Sequence, residues 1–412
     1  MKLAILIAAV DLSRPHASAC LRHTRCMNGP LQGLHVVEFA GIGPAPLACM
    51  LLADLGADVV RIDRLEPSGL GLAMAPRHDV NARGRRSVAL DLKGTAGCDA
   101  AMRLLAHADV LVEGFRPGVM GRLGMDYDTL QARNPRLVYC SVSLFGQNGP
   151  YRDGPGHDPL GLGIAGLFHL NSDPPENVPR LIGSPIGDVS SGLHATIGIL
   201  MALRERDSSG AGQYVDIGML DASLDFSILA SMQALQGTTV PRLNRPNPVS
   251  GIWQTADGKY LCTTNLEPHH WANFCRGIGM EELIPLRYDR ARREELFVCV
   301  RERMRTRTRD EWLAIFHGPH ESQAAPVNEI HEVFDDPHVR ARDMVIDSTD
   351  ADGGRGRQLG FSVKLGRTPA QLRHVAPRPG ADTRSLMQDL GYAEHEIAAL
   401  LASQSAAAPA AA

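Results

Sequence analysis

No two of the eight cysteines stand at Cys-x-x-Cys spacing; they are scattered singly at positions 20, 26, 49, 98, 140, 262, 275 and 299. That scatter excludes a thioredoxin-like redox pair and offers no structural zinc site, and reduced thiols point to a cytoplasmic chain. An excess of positive charge is missing too. The 42 Lys and Arg against 46 Asp and Glu leave a formal net charge of −4, so no global basic field argues for nucleic acid. Aromatic residues are scarce, at 5 %, and the loops discussed below hold few of them. Long hydrophobic runs are absent as well. The apolar opening MKLAILIAAV stops at Asp11, too short to span a bilayer, and no later run suggests a transmembrane segment or a membrane partner.

What is present suits a globular enzyme of two domains. The chain has 412 residues, 44 % hydrophobic and 21 % charged, which are ordinary values for a folded protein. Residues 1–30 read as an extension. "ASAC" at 17–20 faintly resembles a lipoprotein cleavage site, but the first well-patterned strand begins only at Leu34, so a functional start at Met27 is expected.

From there, strands and helices alternate. "LHVVEFA", "LACMLLADLGA" and "DVVRIDR" form strand, helix and strand; "RSVALDL", "GTAGCDAAMRLLAHA" and "DVLVEGF" repeat the unit. "YDTLQARNP" leads into "RLVYCSVSLFG", and the helix pattern 188–206 leads into "YVDIGML". Apolar runs at strand length alternating with helical periodicity predict an α/β fold with a Rossmann-like parallel sheet. This large domain is expected over 31–240 and completed by 341–403. Residues 223–240 look helical, and the proline-rich 241–250 reads as a linker. A smaller α+β domain is expected over 250–340, with a hairpin turning at Asp257-Gly258 and helices at 268–280, 292–304 and 309–316. The tail 404–412 is expected to be disordered.

Gly41-Ile42-Gly43 follows a strand and opens a helix, and Asp63 ends the next strand. This is most of a dinucleotide fingerprint, but Pro46 stands where its third glycine belongs, and NAD binding is not expected. Elsewhere, "GPGHDPLGLG" places His157 and Asp158 side by side in a stiff Gly/Pro loop. By itself that pair is no more than a solvated turn.

The stretch "PLQGLHVVEFAGIGPAPLACMLLADLGADVVRIDR" resembles the opening of the family III CoA-transferase superfamily, which includes the α-methylacyl-CoA racemases. The likeness continues through "RGRRSVALDLK", "DVLVEGFRPGVMGRLGMDYDTL", "NPRLVYCSVSLFGQNGPY" and "AGQYVDIGMLDASL". The resemblance to the racemase branch implies an acyl-CoA epimerase acting in lipid metabolism. It implies His157 of Gly156-His157-Asp158 as the base and Asp188 of "PIGDVSSG" as its partner. Glu267 of the Glu267-Pro268 pair would orient His157, with Asp158 in support. It also implies an interlocked homodimer in which Glu267 acts across the interface. CoA contacts are implied at Arg64, Lys93 and Arg122; Arg116 and the basic stretch Arg83, Arg85 and Arg86 are further candidates. CoA enters as part of the substrate, and no metal or other cofactor is implied.

The chemistry needs such residues. A proton beside a thioester is a weak acid, so its removal calls for a positioned base, and inversion calls for an acid on the opposite face. Histidine and aspartate on separate loops can flank a planar carbon, and a carboxylate can hold an imidazole in one tautomer. The sequence departs from the racemase pattern at "GDVSSG", which leans toward the transferases, and at "RPNPVSGIWQT" before the hairpin. The alternatives are a CoA-transferase with Asp188 as nucleophile and a silent CoA-thioester-binding protein.

Overall fold

The computed structural model describes residues 29–66, 69, 74–172, 178–238 and 247–408. The extension up to residue 28, most of the expected linker (through 246) and the last four residues lie outside the described residues.

Six parallel strands form the centre. They are β1 (His35–Phe39), β2 (Asp58–Asp63), β3 (Arg85–Leu90), β4 (Val110–Glu113), β5 (Val138–Ser143) and β6 (Tyr214–Gly218). Their spatial order is β3-β2-β1-β4-β5-β6, the doubly wound order in which the chain reverses direction between β1 and β4. Val36 pairs with Val59 on one side and with Val110 on the other. Helices bury both faces, which is why these strands are apolar almost throughout. On one face, Val36, Val112 and Cys140 pack with Ala48 and Leu52 of the helix Pro44–Asp54 and with Ala195 and Ile199 of the helix Ile186–Ser209. On the other, Val37, Leu111 and Tyr139 pack with Ala101 and Leu105 of Thr95–Ala106 and with Leu386 of Thr383–Asp389.

The helix Ile186–Ser209 corrects one sequence expectation, because by length and composition it is apolar enough to cross a membrane. Its apolarity has a different use here: Ala195, Ile199, Ala202 and Leu203 are sheet-covering core residues. The helical stretch expected at 223–240 is two helices, Met219–Leu224 and Ile228–Leu235, joined by a short 3₁₀ turn.

The smaller unit has its own antiparallel sheet, β7 (Ser250–Gln254), β8 (Tyr260–Thr264) and β9 (Ala324–Val327). The β7–β8 turn falls at Asp257-Gly258 as expected, with Gly258 at φ 77°, where only glycine is unstrained. All three tryptophans of the chain, Trp253, Trp271 and Trp312, are buried in this unit's separate core. Each indole N–H has an acceptor, Thr263 Oγ1, the Leu283 and Ile284 carbonyls, and the Met304 carbonyl respectively.

The chain then returns to the large domain. A hairpin, β10 (Val345–Thr349) and β11 (Arg355–Leu359), lies against the segment at Arg77. Asp382 accepts from the Ser87 backbone N–H at 2.8 Å. The return runs further than expected: Ala406–Ala407 form β12, pairing antiparallel with Leu90 and Ala89 of β3. The tail is therefore ordered through this strand, because the otherwise open edge of β3 presents unpaired backbone groups that it satisfies.

Candidate active site

A cleft of about 840 Å³ opens at the carboxyl ends of β1, β2, β4 and β5. This is the crevice that a doubly wound sheet creates where strand order reverses. The loops after those strands supply Gly41, Ile42, Arg64, Gly114, Phe115, Arg116, Gly156 and His157, Ser143 ends β5, and Asp188 reaches in from the long helix.

The loop after β1 is shaped for close approach. Gly43 has φ 77°, and a Cβ there would stand 2.8 Å from Asp188 Oδ1. Pro44 then opens the helix at a position where its missing N–H costs nothing. The fingerprint glycine thus presses backbone against a carboxylate rather than a pyrophosphate. Asp63, which would hold a ribose in a dinucleotide site, is buried and accepts from Arg61 at 2.9 Å and from the Ser87 hydroxyl at 2.5 Å.

Asp188 sits in the first turn of Ile186–Ser209. Burial, and then repulsion from Asp158, lift its carboxyl from 3.8 to about 6, and the nearby His157 pulls the other way. The first two effects outweigh the third and the helix N-terminus, which would favour the charged form. Asp158 is itself buried, at 6 % exposure. Its Oδ2 accepts from the Asp188 backbone N–H at 3.0 Å. The bond observed for Asp158 holds the turn that carries Asp188. Gly187 permits this, since a Cβ there would meet Asp158 Oδ2 at 2.9 Å. His157 is exposed, at the N-cap of the short helix Asp158–Ile164.

The structure therefore brings His157, Asp158 and Asp188 together. Glu267 is elsewhere: it is exposed at the N-cap of Pro268–Gly277 in the small unit, and no residue of that unit lines the cleft. Arg64 and Arg116 line the cleft, exposed and with no carboxylate partner among the described residues. Lys93 and Arg122 are exposed and do not line it; they stand in the segments following β3 and β4. All four cations follow the carboxyl ends of strands of the parallel sheet, β2, β3 and β4.

Arg86 does not belong with them. It lies near the opposite, amino end of β3 and pairs with Asp58 at 2.7 Å and Asp389 at 3.2 Å. Arg83 and Arg85 are also structural. Arg83 is buried against Asp54 and donates to the Leu359 carbonyl; Arg85 is buried against Glu38 and donates to the carbonyls of Asn81, Arg83 and Pro46. A basic run in sequence gave no sign that its charges were already neutralised. Sequence reasoning missed Arg152, Glu66, Met219 and Pro379 in the lining. Arg152 had a local signal, standing in the loop of His157; Met219 and Pro379 arrive from distant segments and had none.

Comparison with known proteins adds four findings. Residues 31–383 match the CoA-transferase family III. The chain is 34 % identical over 380 residues to the α-methylacyl-CoA racemase of Mus musculus, covering 89 % of this chain and 95 % of that one. It is 30 % identical over 396 residues to the succinyl-CoA–L-malate CoA-transferase beta subunit of Chloroflexus aurantiacus, covering 89 % and 96 %. A CaiB/BaiF family protein from Brucella suis has a similar solved structure, with a TM-score of 0.77 at 28 % identity, over 88 % of this chain and 100 % of that one.

Proposed function

Because this chain belongs to the CoA-transferase family III, we propose that it is an acyl-CoA epimerase of the α-methylacyl-CoA racemase type. The observation that carries the reading is the placement of His157 and Asp188, from separate segments, in one cleft where the charge of His157 acts on the Asp188 carboxyl. One of the pair takes the proton from the carbon beside the thioester, and the electron pair moves onto the thioester oxygen as an enolate. The other returns a proton to the opposite face of that carbon, and the centre inverts. Nothing is oxidised and no net proton is consumed. A carboxyl held at about 6 suits a group that must both give and take a proton near neutrality. Asp158 keeps the Asp188 turn in place, and Arg64 and Arg116 meet the anionic phosphates of CoA. Lys93 and Arg122 extend the same cationic edge. A cytoplasmic location and the absence of any resident cofactor belong to the same reading.

An interlocked homodimer is part of it. Val189, Leu193, Ile197 and Met201 recur every four residues along Ile186–Ser209 and are all exposed, and Leu229 and Leu235 of the helix Ile228–Leu235 are 76 % and 88 % exposed. A contiguous apolar face of this kind calls for a partner surface. A second copy would cover it and bring Glu267 to the other subunit's His157.

The second reading is a CoA-transferase in which the Asp188 carboxylate attacks the thioester. It is favoured by "GDVSSG" around Asp188 and by the equal coverage of the transferase relative. The test incubates the protein with (R)-2-methylacyl-CoA in D₂O, with a carboxylate acceptor in a parallel tube. Uptake of α-deuterium with loss of chirality is expected, and His157→Ala is expected to abolish it. CoA transfer without deuterium uptake, unaffected by His157→Ala, would replace the epimerase with the transferase.

A further inference from the structure

Beneath the cleft floor lies a polar cluster that the proton transfer does not use. Glu113 ends β4 and is 4 % exposed. Its Oε2 accepts from the Phe115 backbone N–H at 2.7 Å, and its Oε1 accepts from the Ser141 hydroxyl. Ser141 Oγ in turn accepts from Gln147 Nε2 at 2.8 Å, and the Gln147 backbone N–H donates to Asp216 Oδ2 at 3.0 Å. Gly114, Phe115 and Arg116 form one wall of the cleft; the segment from Leu144 to His157 forms another. One buried carboxyl therefore ties the two walls together.

We infer that Glu113 is a positioning residue: through Phe115 on one side and the Ser141–Gln147 chain on the other, it sets the stance of His157 toward Asp188. This rests on the reading of His157 and Asp188 as the reacting pair.

The direction of the hydrogen-bond chain depends on the Glu113 proton. Ionised, Glu113 accepts from both Phe115 and Ser141, and the Ser141 oxygen is left free to accept from Gln147. With the proton on Oε1, Glu113 donates to Ser141 Oγ, and the Ser141 proton turns toward its neighbour, the Tyr214 hydroxyl. The groups facing Glu113 are Asp216 and Tyr214 from β6 and Tyr139 and Cys140 from β5. None of them is a cation. Burial, and then Asp216, raise the Glu113 carboxyl from 4.5 to about 7, against the two hydrogen bonds it accepts. Near neutral pH the ionised, fully directed chain and the protonated one are both populated, with the ionised form gaining as pH rises.

The experiment compares the full chain with Glu113→Gln and Gln147→Ala. Infrared difference spectra across the neutral range are expected to show a protonated-carboxyl carbonyl band titrating near pH 7, absent in Glu113→Gln and retained in Gln147→Ala. Both variants are expected to lower kcat roughly ten- to hundredfold, as a small misplacement of reacting groups does, with KM little changed. Glu113→Gln should also lose the rise in kcat through neutral pH. Turnover is read as α-deuterium uptake and as CoA transfer in the same samples. If the wild type shows neither, the functional reading fails separately, and hydrogen exchange of residues 144–157 decides the positioning role. Loss of protection in Glu113→Gln supports it, and unchanged protection overturns it. A Glu113→Gln enzyme with wild-type kcat and pH profile overturns it as well. Should Glu113→Gln fail to fold, Gln147→Ala decides alone, and an unchanged kcat there overturns the proposal.

Discussion

The two folded units of this chain are built differently and do different work. The large unit has a core of Val, Ala, Leu and Cys between helices and a parallel sheet, and it contains no tryptophan. The small unit has an aromatic core with all three tryptophans. A parallel sheet leaves loops gathered at one edge, where side chains from distant positions converge. A small antiparallel sheet wrapped by helices has no such edge. Accordingly, every cleft residue comes from the large unit, and the small unit's one candidate, Glu267, stands outside. The difference teaches that the large unit alone brings His157 and Asp188 into the cleft, with no side chain of the small unit in its lining.

The largest expected effect tests the large unit's share. Asp188→Asn should reduce turnover roughly 10²–10⁴-fold, the usual worth of a positioned acid or base. The same change should raise thermal stability at pH 8. The native carboxyl holds its proton up to about pH 6 whereas the unfolded one loses it near 3.8. The native state therefore binds the extra proton between those values, and stability falls as pH rises through that window. Asparagine, which carries no charge, removes that loss. In the wild type, the direction in which Asp188 accepts the proton should weaken as pH falls below about 6, and the opposite direction should weaken above it. Thermal denaturation and initial rates in both directions check these signs.

A second, intermediate effect addresses the small unit. Glu267→Gln should lower activity with the tryptophan fluorescence unchanged, since that signal reports only the small unit's core. Co-refolding Glu267→Gln with Asp188→Asn then separates the two geometries. If Glu267 serves the other subunit, each mixed dimer regains one intact site, and the mixture returns to about one quarter of wild-type activity. If Glu267 acts within its own subunit, no intact site forms and no recovery appears.

The smallest effect distinguishes the two ends of β3 and β2. Arg64→Ala should raise KM for acyl-CoA about tenfold, the loss of one charge-assisted contact to phosphate, with kcat nearly unchanged. Arg86→Ala should leave KM alone and lower stability instead, because Arg86 meets Asp58 and Asp389 at the far edge. A KM effect at Arg86 would undo the assignment of the carboxyl edge as the CoA side.

Much of the fold was legible because its signals are local. The apolar strands, the helical spacing of 95–106, the Asp257-Gly258 turn and the Pro268 helix start each declare themselves within a few residues. The long ordered motifs around His157 and Asp188 singled out two residues that the structure places in one cleft. Most of what was misread depends on partners distant in sequence. Arg83, Arg85 and Arg86 looked like free cations, but their partners Asp54, Glu38 and Asp58 come from other strands and helices. The tail looked unstructured because alanines carry no strand signal; β12 exists only where β3 offers an edge. The apolar length of Ile186–Ser209 was overlooked because Asp188 and the serines break the run.

The sequence by itself determined the alternation of strands and helices, and with it a parallel sheet whose loops gather at one edge, since periodicity and turn chemistry are properties of short windows. Only the tertiary structure decided which charges are spent in the core and which face the cleft. It also decided that Asp158 holds the Asp188 turn and that Glu113 ties two walls of the cleft together. Burial and pairing depend on what the rest of the chain brings within a few ångströms, and no short window of sequence contains that.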